Sequence, residues 1–400
     1  MSRNADPTTS VMSSQRRPFP PRLLYVVSED WYFLSHRLPM ARAAQKAGFE
    51  VHVATRVVDG AAAIETEGFK LHPIPFARGR VAIISALKTV FALRLIHRDI
   101  NPAIAHQVAL QAAILGSIAA IGRPTPLVNA LTGFGFTFIS GGLKARLLRP
   151  LIVFLLRFLC TRNKNVALVQ NPDDRAALIS AGVVASHIVV IPGSGVDTEQ
   201  LQPMPEPAGV PTVAFVGRLL EDKGIRTLVA AVQSLHSHGN AVNLLIAGTT
   251  DPANPSSISD SELKTWTRQP GIRWLGQVKD IASVWAQAHI AVLPSRREGL
   301  PKALLEAAAC GRPMIATDVP GCREIVLPNE TGLLVPLDEP TVLAAAINKL
   351  ANSPDLRHRY GAAARRLAVE KFSAETIGQQ TVRLYRALTN SDNGSNDQKH

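Results

Sequence analysis

Short apolar runs alternate with longer segments whose apolar residues recur every three or four positions, from Leu23 almost to the end of the chain. The short runs read as strands buried on both faces and the longer segments as covering helices. In the first half the predicted strands are Leu23–Val27, Val51–Ala54, Leu71–Ile74, Ala103–His106, Leu127–Ala130, Val166–Val169 and Ile188–Ile191. Helical patterns such as Leu38–Ala47 and Asp173–Ala181 separate most of them. The second half repeats this order with Val213–Val216, Leu244–Ala247, Ile272–Leu275, Ile290–Leu293, Met314–Ala316 and Leu333–Val335. Such alternation predicts an α/β fold with parallel sheets built of βαβ units.

After Asp197 the pattern breaks into T-E-Q-L-Q-P-M-P-E-P-A-G-V-P, a proline-rich polar linker. The halves share no sequence repeat but have the same order of elements. Two Rossmann-like domains facing across a cleft are expected, with ligands at the carboxyl ends of the strands. The predicted division is a disordered segment 1–20, an acceptor domain 21–200, a nucleotide-sugar domain 201–372, a last helix 373–388 and a disordered tail 389–400.

At 400 residues the chain can fill two cores. Its three cysteines, Cys160, Cys310 and Cys322, have neither the number nor the spacing of a disulfide framework or zinc site, which favours a reducing cytosol. No secretory signal or membrane-spanning run is apparent. The formal charge of +12 calls for an anionic partner: nucleic acid, anionic lipid or a phosphorylated substrate. No nucleic-acid-binding motif is present, so nucleic acid is not expected.

Two loops carry the chemistry. P-S-R-R-E-G-L-P-K-A-L-L-E, from Pro294 to Glu306, follows an apolar strand and runs into a helix with Pro301 in its first turn. Glu298 and Glu306 can reach one pocket, and the amides of Gly299, Leu300 and Lys302 open a helix start suited to an anion. Alone, Glu298 would be a cap and Glu306 a solvated residue. The second loop, G-R-L-L-E-D-K-G from Gly217 to Gly224, adds the cations Arg218 and Lys223 after another strand. It fits neither the dinucleotide fingerprint nor a Walker A loop. Carboxylates beside a cationic helix start suit a ligand with hydroxyls at one end and phosphates nearby.

Together the loops resemble the family-4 glycosyltransferases of the GT-B fold, in which G-R-x4-K-G holds the donor diphosphate and E-x7-E holds the sugar and ribose. The resemblance continues through Gly311–Pro313, V-P-G-C-R-E from Val319 and T-G-L-L-V-P from Thr331. It implies a retaining hexosyl- or N-acetylhexosaminyltransferase, with UDP the commonest donor nucleotide in the family. It assigns donor binding to Arg218, Lys223, Glu298, Gly299, Leu300 and Glu306, and catalysis to Glu298, His106, Arg218 and Lys223. No D-x-D metal pair is present, and neither metal nor cofactor is expected.

The first domain departs from many relatives. S-E-D-W-Y-F-L-S-H-R replaces a glycine-rich loop after the first strand, and Glu29, Trp31, His36 and Arg37 could meet an acceptor or a phosphate as well as simply pack. His106 matches the first position of the family's H-x-H, but Val108 fills the second, and Gln111 stands where the subset carries lysine. L-T-G-F-G-F-T-F, with Thr132, Gly133 and Gly135, is similar to a loop of bacterial relatives acting on polyprenyl-linked saccharides. That likeness implies a lipid-linked acceptor in surface polysaccharide or glycan synthesis. Ile139–Lys164 carries six cations, no acid and many apolar residues, and is the predicted contact with the inner face of an anionic plasma membrane. Two rivals stay open. A glycoside hydrolase could use the two glutamates as acid and base, and a binding protein could use the positive charge.

Overall fold

The structure is a computed structural model of the chain and describes residues 19–77, 83–131, 153–155, 157–160, 164–252 and 254–390. Every predicted apolar run forms a strand, each end within two residues of its expected place. The first sheet holds β1 (Arg22–Glu29), β2 (Glu50–Arg56), β3 (Lys70–Pro73), β4 (Ile104–Val108), β5 (Leu127–Ala130), β6 (Val166–Val169) and β7 (Ile188–Val190). Its order is β3-β2-β1-β4-β5-β6-β7, parallel throughout. The second holds β8 (Thr212–Val216), β9 (Asn243–Ala247), β10 (Ile272–Gly276), β11 (Ile290–Leu293), β12 (Met314–Thr317) and β13 (Gly332–Val335). Its order is β10-β9-β8-β11-β12-β13, also parallel.

Helices cover both faces of each sheet, which is why the strands read as unbroken apolar runs. Along β1, Tyr25 and Val27 pack with Phe33, Met40 and Tyr385 on one face. Leu24 and Val26 face the other way, toward Leu93, Ile100 and Ala112. Each sheet winds outward from its first strand and then returns to the other side of it. This creates a crevice between β1 and β4 in one sheet and between β8 and β11 in the other, where α/β folds bind ligands.

The chain passes between the domains twice, and the two passages are bonded to each other. Val196 N donates to Phe372 O at 2.9 Å and Ala374 N to Val196 O at 2.8 Å. The last helix, Ala374–Asn390, then leaves the second domain and packs on the Leu38–Lys46 helix of the first. Its Ile377 and Tyr385 belong to that core. No helix among the described residues is long and apolar enough to cross a membrane.

Candidate active site

The loop after β8 ends in a 3-10 turn, Glu221–Lys223, and then Gly224 at φ 70°. A Cβ on Gly224 would stand 1.9 Å from the carbonyl oxygen of Pro294, so only glycine lets this loop pack on the loop after β11. The contact carries Lys223 to Glu298. Its Nζ lies 2.5 Å from Glu298 Oε1, which also accepts from Ser295 Oγ at 2.7 Å. The Thr317 hydroxyl donates to the Ser295 carbonyl and fixes that residue. From the other side Gly321, at φ 81°, lies so close that a Cβ would reach the Gly299 carbonyl at 2.4 Å.

The helix that follows is Lys302–Ala309, with Pro301 its N-cap residue at φ −74° and ψ 113°. It begins one residue later than expected, since Pro301 precedes the first turn. No side chain caps it, so its leading amides are left for an anion. Glu306 is buried at 8% exposure, and burial pushes its carboxyl up against the opposing pull of Lys302, whose Nζ is 3.4 Å away. Arg218 occupies an exposed position on the first loop, its Nη1 4.0 Å from Asp251 Oδ2. Thus Lys223, Glu298, Gly299, Leu300 and Glu306 gather around one helix start at the β8/β11 crevice.

On the facing domain Glu29 ends β1 and accepts from Arg56 Nη2 at 2.8 Å and from the Trp31 indole. Trp31 is half-exposed. His36 stacks on Tyr32 with centroids 4.3 Å apart. Its pKa is pushed down to about 3, mainly by burial and then by the charges of Arg37, Lys302 and Lys223. Thr132, Gly133 and Gly135 lie outside the described residues, as does most of Ile139–Lys164.

His106 is fully buried, its Nδ1 2.5 Å from the Tyr385 hydroxyl and its ring 5.0 Å from that of Tyr25, so it ties the last helix to the first sheet.

Three residues that the sequence reading passed over join the domains at the site. Asn171 Nδ2 donates to the Gly299 carbonyl at 2.8 Å, while its Oδ1 caps the Pro172–Ser180 helix through Asp174 N. Arg297 Nη2 meets Asp174 Oδ1 at 3.1 Å. Burial pushes the Asp174 carboxyl up and Arg297 pulls it down. The available signal was N-P-D-D after β6, legible as a helix cap but not as a partner for a loop more than a hundred residues away.

Two family models match the chain. Residues 22–170 match the family described as glycosyl transferase 4-like, and residues 210–353 that described as glycosyl transferases group 1. The capsular polysaccharide biosynthesis glycosyltransferase CapM of Staphylococcus aureus is 24% identical, covering 90% of this chain and 97% of its own. The N,N'-diacetylbacillosaminyl-diphospho-undecaprenol alpha-1,3-N-acetylgalactosaminyltransferase of Campylobacter jejuni is 25% identical over 88% of this chain and 97% of its own. Among solved structures, Anabaena HepE in complex with UDP and glucose superposes with TM-score 0.75 at 18% identity, over 90% of this chain and 98% of that one. Each domain carries its own signature in the order the fold requires, and the chain belongs to the family-4 glycosyltransferases of the GT-B fold.

Proposed function

We propose that this glycosyltransferase moves a hexosyl or N-acetylhexosaminyl group from a nucleotide diphosphate, UDP, to a hydroxyl of a polyprenyl-linked saccharide, with retention and without a metal. One observation carries the reading: Lys223, Glu298, Glu306 and an uncapped helix start converge at the crevice between β8 and β11. The hard step is departure of the diphosphate while positive charge grows at the anomeric carbon. Lys223, Arg218 and the helix start stabilise that leaving group, and charge fixed in advance usually lowers such a barrier more than any other single effect. A phosphate that engages Lys223 frees Glu298 for a sugar hydroxyl. Glu306 holds the ribose hydroxyls, and the leaving phosphate takes the acceptor proton.

Glu29, Trp31 and the loop with Thr132, Gly133 and Gly135 form the acceptor side. Two relatives support the donor and acceptor classes: UDP and glucose occupy HepE, and the Campylobacter enzyme is a diphospho-undecaprenol N-acetylgalactosaminyltransferase. A lipid-linked acceptor implies a cytoplasmic enzyme working at the inner face of the plasma membrane. The test is transfer from a panel of labelled nucleotide sugars to polyprenyl-diphosphate saccharides in EDTA, with NMR of the new linkage. Label in the lipid fraction from a UDP-sugar, with the donor's anomeric configuration kept, is the expected result. Inversion, an absolute need for added metal, or transfer only to soluble acceptors would refute the corresponding part.

A further inference from the structure

After β9 the chain does not pass straight into its next helix, Asp260–Thr267. Residues 248–258 first run back along the loop that carries Arg218 and Lys223, and are bonded to it. Leu219 N donates to the Thr249 carbonyl at 2.9 Å, Glu221 N to the Ser256 carbonyl at 2.8 Å and Ile258 N to the Leu219 carbonyl at 2.9 Å. Leu220 and Ser257 form an antiparallel bridge. Gly248, at φ 147°, permits the close start of this strap, since a Cβ there would stand 1.8 Å from the Gly217 carbonyl oxygen.

The strap fixes one carboxylate beside Arg218. Asp251 N donates to Ser257 Oγ at 2.8 Å, and the Asp251 carbonyl accepts from Asn254 N at 2.7 Å. Asn254 is pinned in turn, its Oδ1 accepting from both Ser256 N and Ser256 Oγ. Asp251 Oδ2 then lies 4.0 Å from Arg218 Nη1, and among the described residues no other carboxylate pairs with that guanidinium. The two cations of the loop are thus held differently. Lys223 spends a hydrogen bond on Glu298, whereas Arg218 at 4.0 Å spends none and keeps its donors for a ligand.

We propose that Asp251 is a positioning residue, whose fixed negative charge aims the Arg218 guanidinium at the donor diphosphate without bonding it. The Arg218 side chain is 55% exposed, and ordering a loose arginine during the reaction would cost rate that a charge aimed in advance saves. The same carboxylate repels the diphosphate weakly, so its loss should slow transfer without weakening donor binding. The inference deepens the proposed donor site and rests on that reading.

The experiment compares Asp251→Asn, Asp251→Glu and Arg218→Ala with wild type, using UDP as the binding probe in EDTA and the UDP-sugar that donates in the transfer assay. Asp251→Asn keeps the shape of the side chain and the backbone bonds of the strap, so it removes the charge alone. Its kcat should fall about three- to fivefold, the range of a solvent-exposed ion pair, while UDP binds at least as tightly and the melting temperature stays put. Asp251→Glu should restore most of the loss. The ratio of wild-type to Asp251→Asn kcat should approach one near 1 M salt, where charges are screened within about 3 Å. Added to Arg218→Ala, Asp251→Asn should change kcat no further. Full turnover in Asp251→Asn, a loss that ignores salt, or the same loss in the Arg218→Ala background would overturn this inference alone. Near-normal turnover in Arg218→Ala, or no UDP binding by wild type, would overturn the donor reading and this inference with it.

Discussion

Glu306→Gln should stabilise the protein and impair the enzyme. The carboxyl is 8% exposed, in the second turn of the helix, with Lys302 at 3.4 Å as its ion-pair partner. Burial raises its pKa above the ordinary 4.5. From about pH 4.5 up to the raised value, the folded protein keeps a proton that the unfolded chain has released. Stability therefore falls as pH rises through that window, and the penalty is complete above it. Glutamine has no charge to desolvate. The pair it removes is an i,i+4 contact to a lysine more than a third exposed, worth about 0.3–0.5 kcal/mol. The variant should thus melt higher than wild type at pH 8, with the difference shrinking toward pH 4.

The cost should appear in the donor. A hydrogen bond from a ribose hydroxyl to a carboxylate contributes about 1.5–3 kcal/mol, so the donor KM should rise roughly 10- to 100-fold. Because the ribose is held alike in the ground and transition states, kcat should change little. Melting curves from pH 4 to 8 and initial-rate kinetics against the nucleotide sugar measure both. A lower melting temperature at pH 8 together with an unmoved KM would refute the reasoning and make Glu306 an ordinary member of its helix.

Lys223→Ala should lower kcat about 100-fold or more, near 3 kcal/mol of barrier, and Arg218→Ala should also slow transfer strongly; near-normal turnover in either would remove this loop from the mechanism. Asp174→Asn keeps the helix-cap geometry but leaves Arg297 unpaired across the domains. Transfer should fall about tenfold while melting stays within a few degrees, and unchanged kinetics would mean the interdomain pair does not position the Glu298 loop. Buried His97 and half-buried His36 have pKa values lowered from 6.5 to about 4 and about 3. As pH falls below 6.5 the unfolded chain gains protons that the folded state refuses, so stability should drop from pH 6.5 down to about 4. His97→Leu should flatten that slope, and an unchanged slope would contradict the assignment.

Most strands were legible because they are buried on both faces, so that local apolarity and position coincide, while the outer strands β3 and β10 are partly exposed. The two loops were legible because phosphate and carboxylate chemistry needs particular residues close together in sequence. Their pairing was less so: the 2.5 Å contact of Lys223 with Glu298 depends on Gly224 approaching Pro294, a tertiary fact. The setting of His106 was hidden for the opposite reason. A strand-end histidine reads the same whether it faces a cleft or the core, and its partner Tyr385 is 279 residues away. Asn171, Asp174 and Arg297 escaped notice because the interdomain contact has no local pattern.

Titration calorimetry of UDP, GDP and ADP into the metal-free protein tests the central claim most directly, using wild type beside Lys223→Ala/Glu306→Gln. One nucleotide diphosphate, UDP on this account, should bind one wild-type chain at a single site in EDTA, and the double variant should bind it at least about 100-fold more weakly. Equal binding by the double variant, or no binding of any nucleotide by wild type, would contradict a donor site built on these residues.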